Sequence, residues 1–226
     1  MELEVLDSIP VELDFQEVMK GLRQRKAMEA CVRELLDIVR PAVNPKAVYK
    51  VAYIDSRDGD SVCIDGVTFT SHILKVNLDK VERVFPYVAT CGREVDEIAV
   101  PPDDVMKSYC LEMIKRRVVG TARSYLEDYL RRTYALGQMS RMSPGSLADW
   151  PITQQKELFS ILGDVEALIG VRLTESFLMV PTKSVSGIFF PTEVKFESCQ
   201  LCPRAVCEAR RAPYDPQLAK KYRETA

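Results

Sequence analysis

The chain has 226 residues, enough for one domain or two small ones with a substantial buried core. Its 31 Lys and Arg nearly balance 33 Asp and Glu, so no global basic field would hold nucleic acid and no polybasic arm marks a membrane surface. The start, MELEVLDSIPVELDF, lacks the basic and apolar regions of a signal peptide, and no later run approaches the ~20 apolar residues that span a bilayer, so a soluble, cytoplasmic protein is expected.

From Asp14 to Arg40, Val18, Leu22, Cys31, Leu35 and Val39 recur at near-helical spacing until Pro41, which predicts one or two helices. AVYKVAYI (47–54) and SVCIDGVTFT (61–70) are rich in β-formers, and Asp65-Gly66 between alternating apolar residues predicts a hairpin. His72, the single histidine, stands in TSHILKV without a nucleophile motif and reads as structural rather than as part of a catalytic triad. Asp104 to Leu136 predicts one long helix with Val105, Tyr109, Met113, Val118, Ala122, Tyr125 and Tyr129 as its apolar stripe. Asp103 and Asp104 cap it, Gly137 ends it, and its charges read as a solvated face.

The segment GQMSRMSPGSLADWPITQQ is too long and turn-rich for a simple connection, and loops of that kind often bind something. In it Arg141 can clasp a carboxylate bidentately, and Gly145 lets the backbone approach a small zwitterion or nucleoside; an exposed arginine on a mobile loop is the alternative. Helices follow from Thr153 to Leu162 and on to Ile169. Leu173 to Pro191 then predicts a hairpin of SFLMV and SGIFF. Its small centre at Ser184, Ser186 and Gly187 leaves room for a flat ligand or a partner's cofactor, or else packs as a tight turn. The glycines form neither G-x-G-x-x-G nor a Walker pattern, which argues against nucleotide hydrolysis. With no linker or repeat, a single domain mixing helices and strands is expected over 1–226, ending in a cysteine-rich tail at about 197–226.

Seven cysteines without a secretory signal argue against a disulfide framework. Cys31, Cys63, Cys91 and Cys110 are scattered and read as small core residues, whereas Cys199, Cys202 and Cys207 form C-x2-C-x4-C among Arg204, Arg210 and Arg211. That spacing suits zinc or a [4Fe-4S] cluster, with Cys91 as a fourth ligand or an open position; free or redox-active thiols are the alternative.

RMSPGSLADWP, the helix after it and LTESFLMVPTKSVSGIFF resemble the reactivation domain of cobalamin-dependent methionine synthase, from about Arg141 to Phe196. VFPYVATCGREVDE (84–97) is similar to free-standing members of that family. The resemblance implies an α+β fold built on a twisted antiparallel sheet flanked by helices. It also implies that Arg141 pairs with the methionyl carboxylate of S-adenosylmethionine, that Ser143 and Gly145 supply backbone contacts, and that Phe196, after Lys195, lies beside the adenosyl group. Ser146, Ser184, Ser186 and Gly187 would face the corrinoid.

Two positions depart from the family: Ser146 stands where a corrinoid-facing tyrosine is expected, and Gly120 near an expected acidic contact. Asp14 is the candidate for the family's amino-terminal aspartate. The implied function is an accessory protein that supports reductive methylation of cob(II)alamin on a corrinoid-dependent methionine synthase or methyltransferase, with flavodoxin or ferredoxin as electron donor. An electron-transfer or docking module that does not bind S-adenosylmethionine is the alternative.

Overall fold

The computed structural model describes residues 3–22, 26–207 and 210–224. After β1 (Leu3–Leu6), α1 (Phe15–Gly21) starts at Asp14, whose side chain accepts the Glu17 N–H at 2.9 Å. A second helix, α2 (Glu29–Ala42), carries Pro41 in its last turn and buries Val32, Leu35, Leu36 and Val39. Then β2 (Lys46–Lys50) and β3 (Ala52–Asp58) follow one another with a break at Val51, so the single predicted strand is two. The hairpin of β4 (Ser61–Ile64) and β5 (Val67–Thr70) turns on Asp65 and Gly66, both at positive φ (48° and 78°), the twist that matches paired strands. His72 opens α3 (His72–Asn77), and its Nδ1 lies 2.8 Å from Asp60, a structural placement.

The centre is β6 (Arg83–Thr90), in which every residue after Arg83 is buried. One edge pairs with β2 through Lys46↔Thr90 to Tyr49↔Tyr87, then with β3 through Ala52↔Val84. Pro86, which has no N–H to give, falls opposite the break between them. The other edge pairs with β10 (Ser184–Pro191), from Ser184↔Thr90 to Phe189↔Phe85, and β10 in turn pairs with β7 (Met139–Met142). With β1 beside β2 and the β4–β5 hairpin beside β3, this is an eight-stranded sheet, antiparallel throughout.

Helices cover both faces. After the short α4 (Arg93–Asp96), the 29-residue α5 (Val105–Thr133) packs Ala122, Leu126 and Leu130 on Tyr49, Phe85, Tyr87 and Phe189. On the opposite face α6 (Gln155–Leu162) and α7 (Val165–Ile169) bring Leu162, Val165 and Ile169 to Val48 and Val88. The period-2 alternation of β2, β6 and β10 thus feeds two apolar layers, which is why these strands read as nearly unbroken apolar runs.

Three expectations are corrected. The buried line of α5 runs through Cys110, Ile114, Val118, Ala122, Leu126 and Leu130, whereas Val105 and Tyr109 are 75% and 43% exposed, because the face packed against α2 at that end is the one carrying Cys110 and Leu111. Its charges are not all solvated: Lys115 is buried between Asp96 (3.1 Å) and Glu112 (2.9 Å). Nor do SFLMV and SGIFF pair with each other. The short β9 (Met179–Val180) pairs with β8 (Arg172–Leu173), while β10 pairs with β6 along Ser184–Phe189 on one edge and with β7 along Ile188–Pro191 on the other. The tail returns to the body through α8 (Pro216–Glu224), where the Tyr222 ring lies 5.7 Å from Phe196 and its hydroxyl donates to Asn77 at 3.1 Å.

Glycine at position 187 is a packing requirement: a Cβ there would stand 2.4 Å from the Met142 carbonyl oxygen and 2.7 Å from Ser143 Oγ. Substituting Gly187→Ala is therefore expected to destabilise the fold by about 1–3 kcal/mol, as overpacking does, read as a lowered midpoint in urea unfolding with an unchanged slope.

Candidate ligand-binding cavity

A cavity of about 540 Å³ opens between α5, the end of β7 with its following turn, and the cysteine-rich tail. That size suits a small-molecule site. From α5 come Arg116, Gly120 and Arg123; from β7 and its turn, Arg141, Ser143 and Ser146; from the tail, Cys199, Cys202, Cys207, Arg204 and Arg211. Val119, Val185 and Tyr87 supply the apolar wall.

Arg141 reaches this place because β7 runs beside β10, with Arg141 opposite Phe189. Its guanidinium lies 3.3 Å from Glu127 of α5, with both side chains largely buried. Glu127 and the arginines of α5 were hidden in what the sequence suggests is a solvated face. The spacing held the signal: Arg116, Gly120, Arg123 and Glu127 stand 4, 3 and 4 residues apart, which puts them on one face of a helix. Arg123 is pulled below the usual arginine range by burial and by the like charge of Arg141 beside it. Tyr87 is pushed up, chiefly by burial. At Gly120 an added Cβ would meet nothing within 4 Å, so this position widens the cavity.

Other expected site residues lie elsewhere. Gly145 (φ 76°) donates its N–H to the Trp150 carbonyl at 2.7 Å, and a Cβ on it would come within 2.8 Å of Ile152, so it is spent on the turn. That turn is packed onto the body: Trp150 is fully buried edge-on to Phe69 at 5.9 Å, and Asp149 accepts from Ser71 Oγ and from the Ile73 N–H at 3.0 Å. Phe196 is 5% exposed in the core with Trp150 and Phe190, outside the cavity lining, and its N–H donates to Ser140 Oγ at 2.7 Å. Asp14 is a helix cap. Ser184 and Ser186 are buried within β10, with Ser184 Oγ donating to the Pro181 carbonyl (2.8 Å) and lying 2.9 Å from Thr90 Oγ1, from which it can accept; with Gly187 they build the sheet rather than an exposed face. Ser146 alone of the four expected corrinoid-facing residues is exposed, and its hydroxyl donates to the Ser143 carbonyl at 2.7 Å.

The tail cysteines reach one cavity through Arg210. Its guanidinium donates to the carbonyls of Cys199 (3.1 Å), Cys202 (3.3 Å), Ala212 (3.2 Å) and Arg204, gathering the loop around one cation. The Arg211 N–H points at Cys199 Sγ at 3.5 Å. Among the described residues, however, no group of three His, Cys, Asp or Glu side chains is placed to hold a metal ion. The choice of Cys91 as fourth ligand is corrected: it is fully buried with Val95, Cys110 and Ile114 in the cluster between α2 and α5. Burial pushes its thiol up to about 12. No described helix is long and apolar enough to cross a membrane.

Residues 105–199 match the model of the family described as vitamin B12 dependent methionine synthase, activation domain. Among solved structures, the MetH reactivation domain bound to AdoHcy (S-adenosylhomocysteine) superimposes with a TM-score of 0.63 and 18% identity, covering 87% of this chain and 81% of that one. No curated protein matches.

The two thiol environments predict a labelling pattern. At pH 8 iodoacetamide should modify the partly exposed Cys199, Cys202 and Cys207 in the native protein, while the buried Cys91 and Cys110, each raised to about 12, stay protonated and unmodified until the chain is unfolded. Peptide mass mapping before and after denaturation checks this.

Proposed function

We propose, from the premise that this chain is a homologue of the activation domain of vitamin B12 dependent methionine synthase, that it binds S-adenosylmethionine and supports reductive methylation of a partner's corrinoid. The observation that carries this reading is the meeting of Arg141 and Ser143 with the open position Gly120 around one cavity. Arg141 would clasp the methionyl carboxylate, sharing or exchanging its present partner Glu127, and Glu127 would then be free to take the ligand's ammonium. The adenosyl body would lie along Val119 and Val185, where Gly120 leaves room.

The chain's own part is positioning. A reduced corrinoid on the partner would supply the nucleophile, and this chain would hold the sulfonium methyl toward it, with S-adenosylhomocysteine as the leaving group when the carbon–sulfur bond breaks. No general acid or base is required of the site, only a methyl donor held in line and shielded from water. The partner would be a corrinoid-bearing methionine synthase or methyltransferase, and a flavodoxin- or ferredoxin-like donor would supply the electron.

A second reading, a docking or electron-transfer module without S-adenosylmethionine, is favoured by charge. Five arginines line the cavity while the ligand carries a sulfonium, and Gly120 stands where an acid would help. In that reading Cys199, Cys202 and Cys207 would hold zinc or an iron-sulfur centre, which requires the tail to draw its thiols closer together. Metal content and the visible spectrum of anaerobically purified protein bear on it directly.

Calorimetric titration with S-adenosylmethionine should give one-to-one binding, and Arg141→Ala should weaken it about 10–100-fold, the loss of a charge-assisted hydrogen bond of about 1.5–3 kcal/mol. Absence of binding by the native protein, or unchanged affinity in R141A, would overturn the assignment.

A further inference from the structure

Binding of a methionyl carboxylate on Arg141 leaves Arg123 without a task. Its side chain lines the same cavity, its Nε is buried with no hydrogen-bond partner, and among the described residues it forms no ion pair. The nearby carboxylates sit closer to other arginines, Glu127 to Arg141 at 3.3 Å and Glu197 to Arg211 at 3.2 Å. A cation withdrawn from water beside a like charge is costly unless an anion completes it.

Glu127 offsets the charge of Arg141 but not that of Arg123, and a carboxylate clasped by Arg141 would leave no acceptor oxygen for the second guanidinium that faces the same space. A phosphate monoester carries about −1.5 to −2 at neutral pH and three acceptor oxygens, and the planar arginine fork matches its geometry. The wall next to these arginines is apolar at Val119 and Val185 and open at Gly120, so there is space for a nucleoside body attached to the phosphate.

We propose that Arg123, together with Arg141, forms a phosphate-binding subsite in this cavity, and that it takes a phosphate group, as the free anion or as the monoester of a nucleoside monophosphate. Because the subsite shares Arg141 with the proposed carboxylate clamp, a phosphate ester and S-adenosylmethionine exclude one another. The proposal rests on the same cavity as the S-adenosylmethionine reading but does not require that reading to be correct.

Calorimetric titrations of the full chain at low salt with adenosine 5′-monophosphate, inorganic phosphate and adenosine test it. The nucleotide should bind at least about tenfold tighter than adenosine, and Arg123→Gln should remove that advantage, the size of one charge-assisted contact. Inorganic phosphate binding as tightly as the nucleotide identifies a free anion as the occupant; tighter binding of the nucleotide identifies the ester. Since R123Q can fail to fold, Arg123→Lys is the second variant: it keeps the charge, loses the fork, and should weaken the nucleotide several-fold while leaving adenosine unchanged. A native protein that binds the nucleotide no better than adenosine, or nucleotide affinity unchanged in both variants, overturns the subsite. Nucleotide binding in a protein that ignores S-adenosylmethionine sinks the methyl-donor reading and leaves this one standing, and the reverse result does the opposite.

Discussion

Pairing of β6 along both edges is the constraint from which the rest of the molecule follows. A strand hydrogen-bonded to β2 and β3 on one side and to β10 on the other has no edge to offer solvent, and its two faces must both be covered. Phe85, Tyr87 and Ala89 therefore require α5, while Val84 and Val88 require α6, α7 and the Trp150 turn. Tyr87 and Phe189 stack at 4.4 Å between neighbouring strands and with Phe85 form the aromatic layer beneath the helix, while Phe190 points to the other face with Trp150. The cavity lies at the seam where this sheet, the long helix and the tail meet.

The position of that seam depends on glycine. At Gly187 the chain of β10 passes so close to the end of β7 that no side chain fits, and this passage sets the height at which Arg141 and Ser143 leave the strand. On the other wall Gly120 removes a side chain that would otherwise fill the space between Arg116 and Arg123. One glycine lets backbones touch and the other keeps a helix face open; together they make a gap whose rim is almost entirely cationic. Among the described residues Glu127 pairs with Arg141, and Glu197 pairs with Arg211. Electrostatics, more than shape, is what a ligand must satisfy here.

Local chemistry decides which of these features can be read from the sequence. The Asp65-Gly66 turn is legible because a two-residue hairpin demands positive φ at both positions, and few residues supply it. The long helix is legible from its length and caps, yet the identity of its buried line is not, since Tyr109 and Cys110 are both acceptable apolar residues and only packing against α2 and the sheet selects between them. The supposed hairpin at 173–191 fails for a related reason. Adjacent apolar segments look like partners, but strand pairing is settled by which edges are vacant, and β10 finds both its partners far away in the chain. In the site, Arg141 and Ser143 are recognisable from their turn. Arg123 and Glu127 are recognisable only if polar residues on a helix are sorted by face as carefully as apolar ones.

The tail shows how a short irregular segment can become part of a site without a core of its own. Its backbone carbonyls at Cys199, Cys202, Arg204 and Ala212 would be poorly satisfied in a free loop; Arg210 answers all four, so a single guanidinium replaces the hydrogen bonding that a helix or strand would provide. Anchors at both ends, the Glu197–Gln200 capping turn and α8 on Phe196 and Asn77, then hold the loop against the body. The consequence is that the three thiols and two further arginines face the same space as Arg123 and Arg141. A ligand bound there touches the tail and the core at once, so occupancy of the cavity and seating of the tail are coupled, and whatever stabilises one stabilises the other.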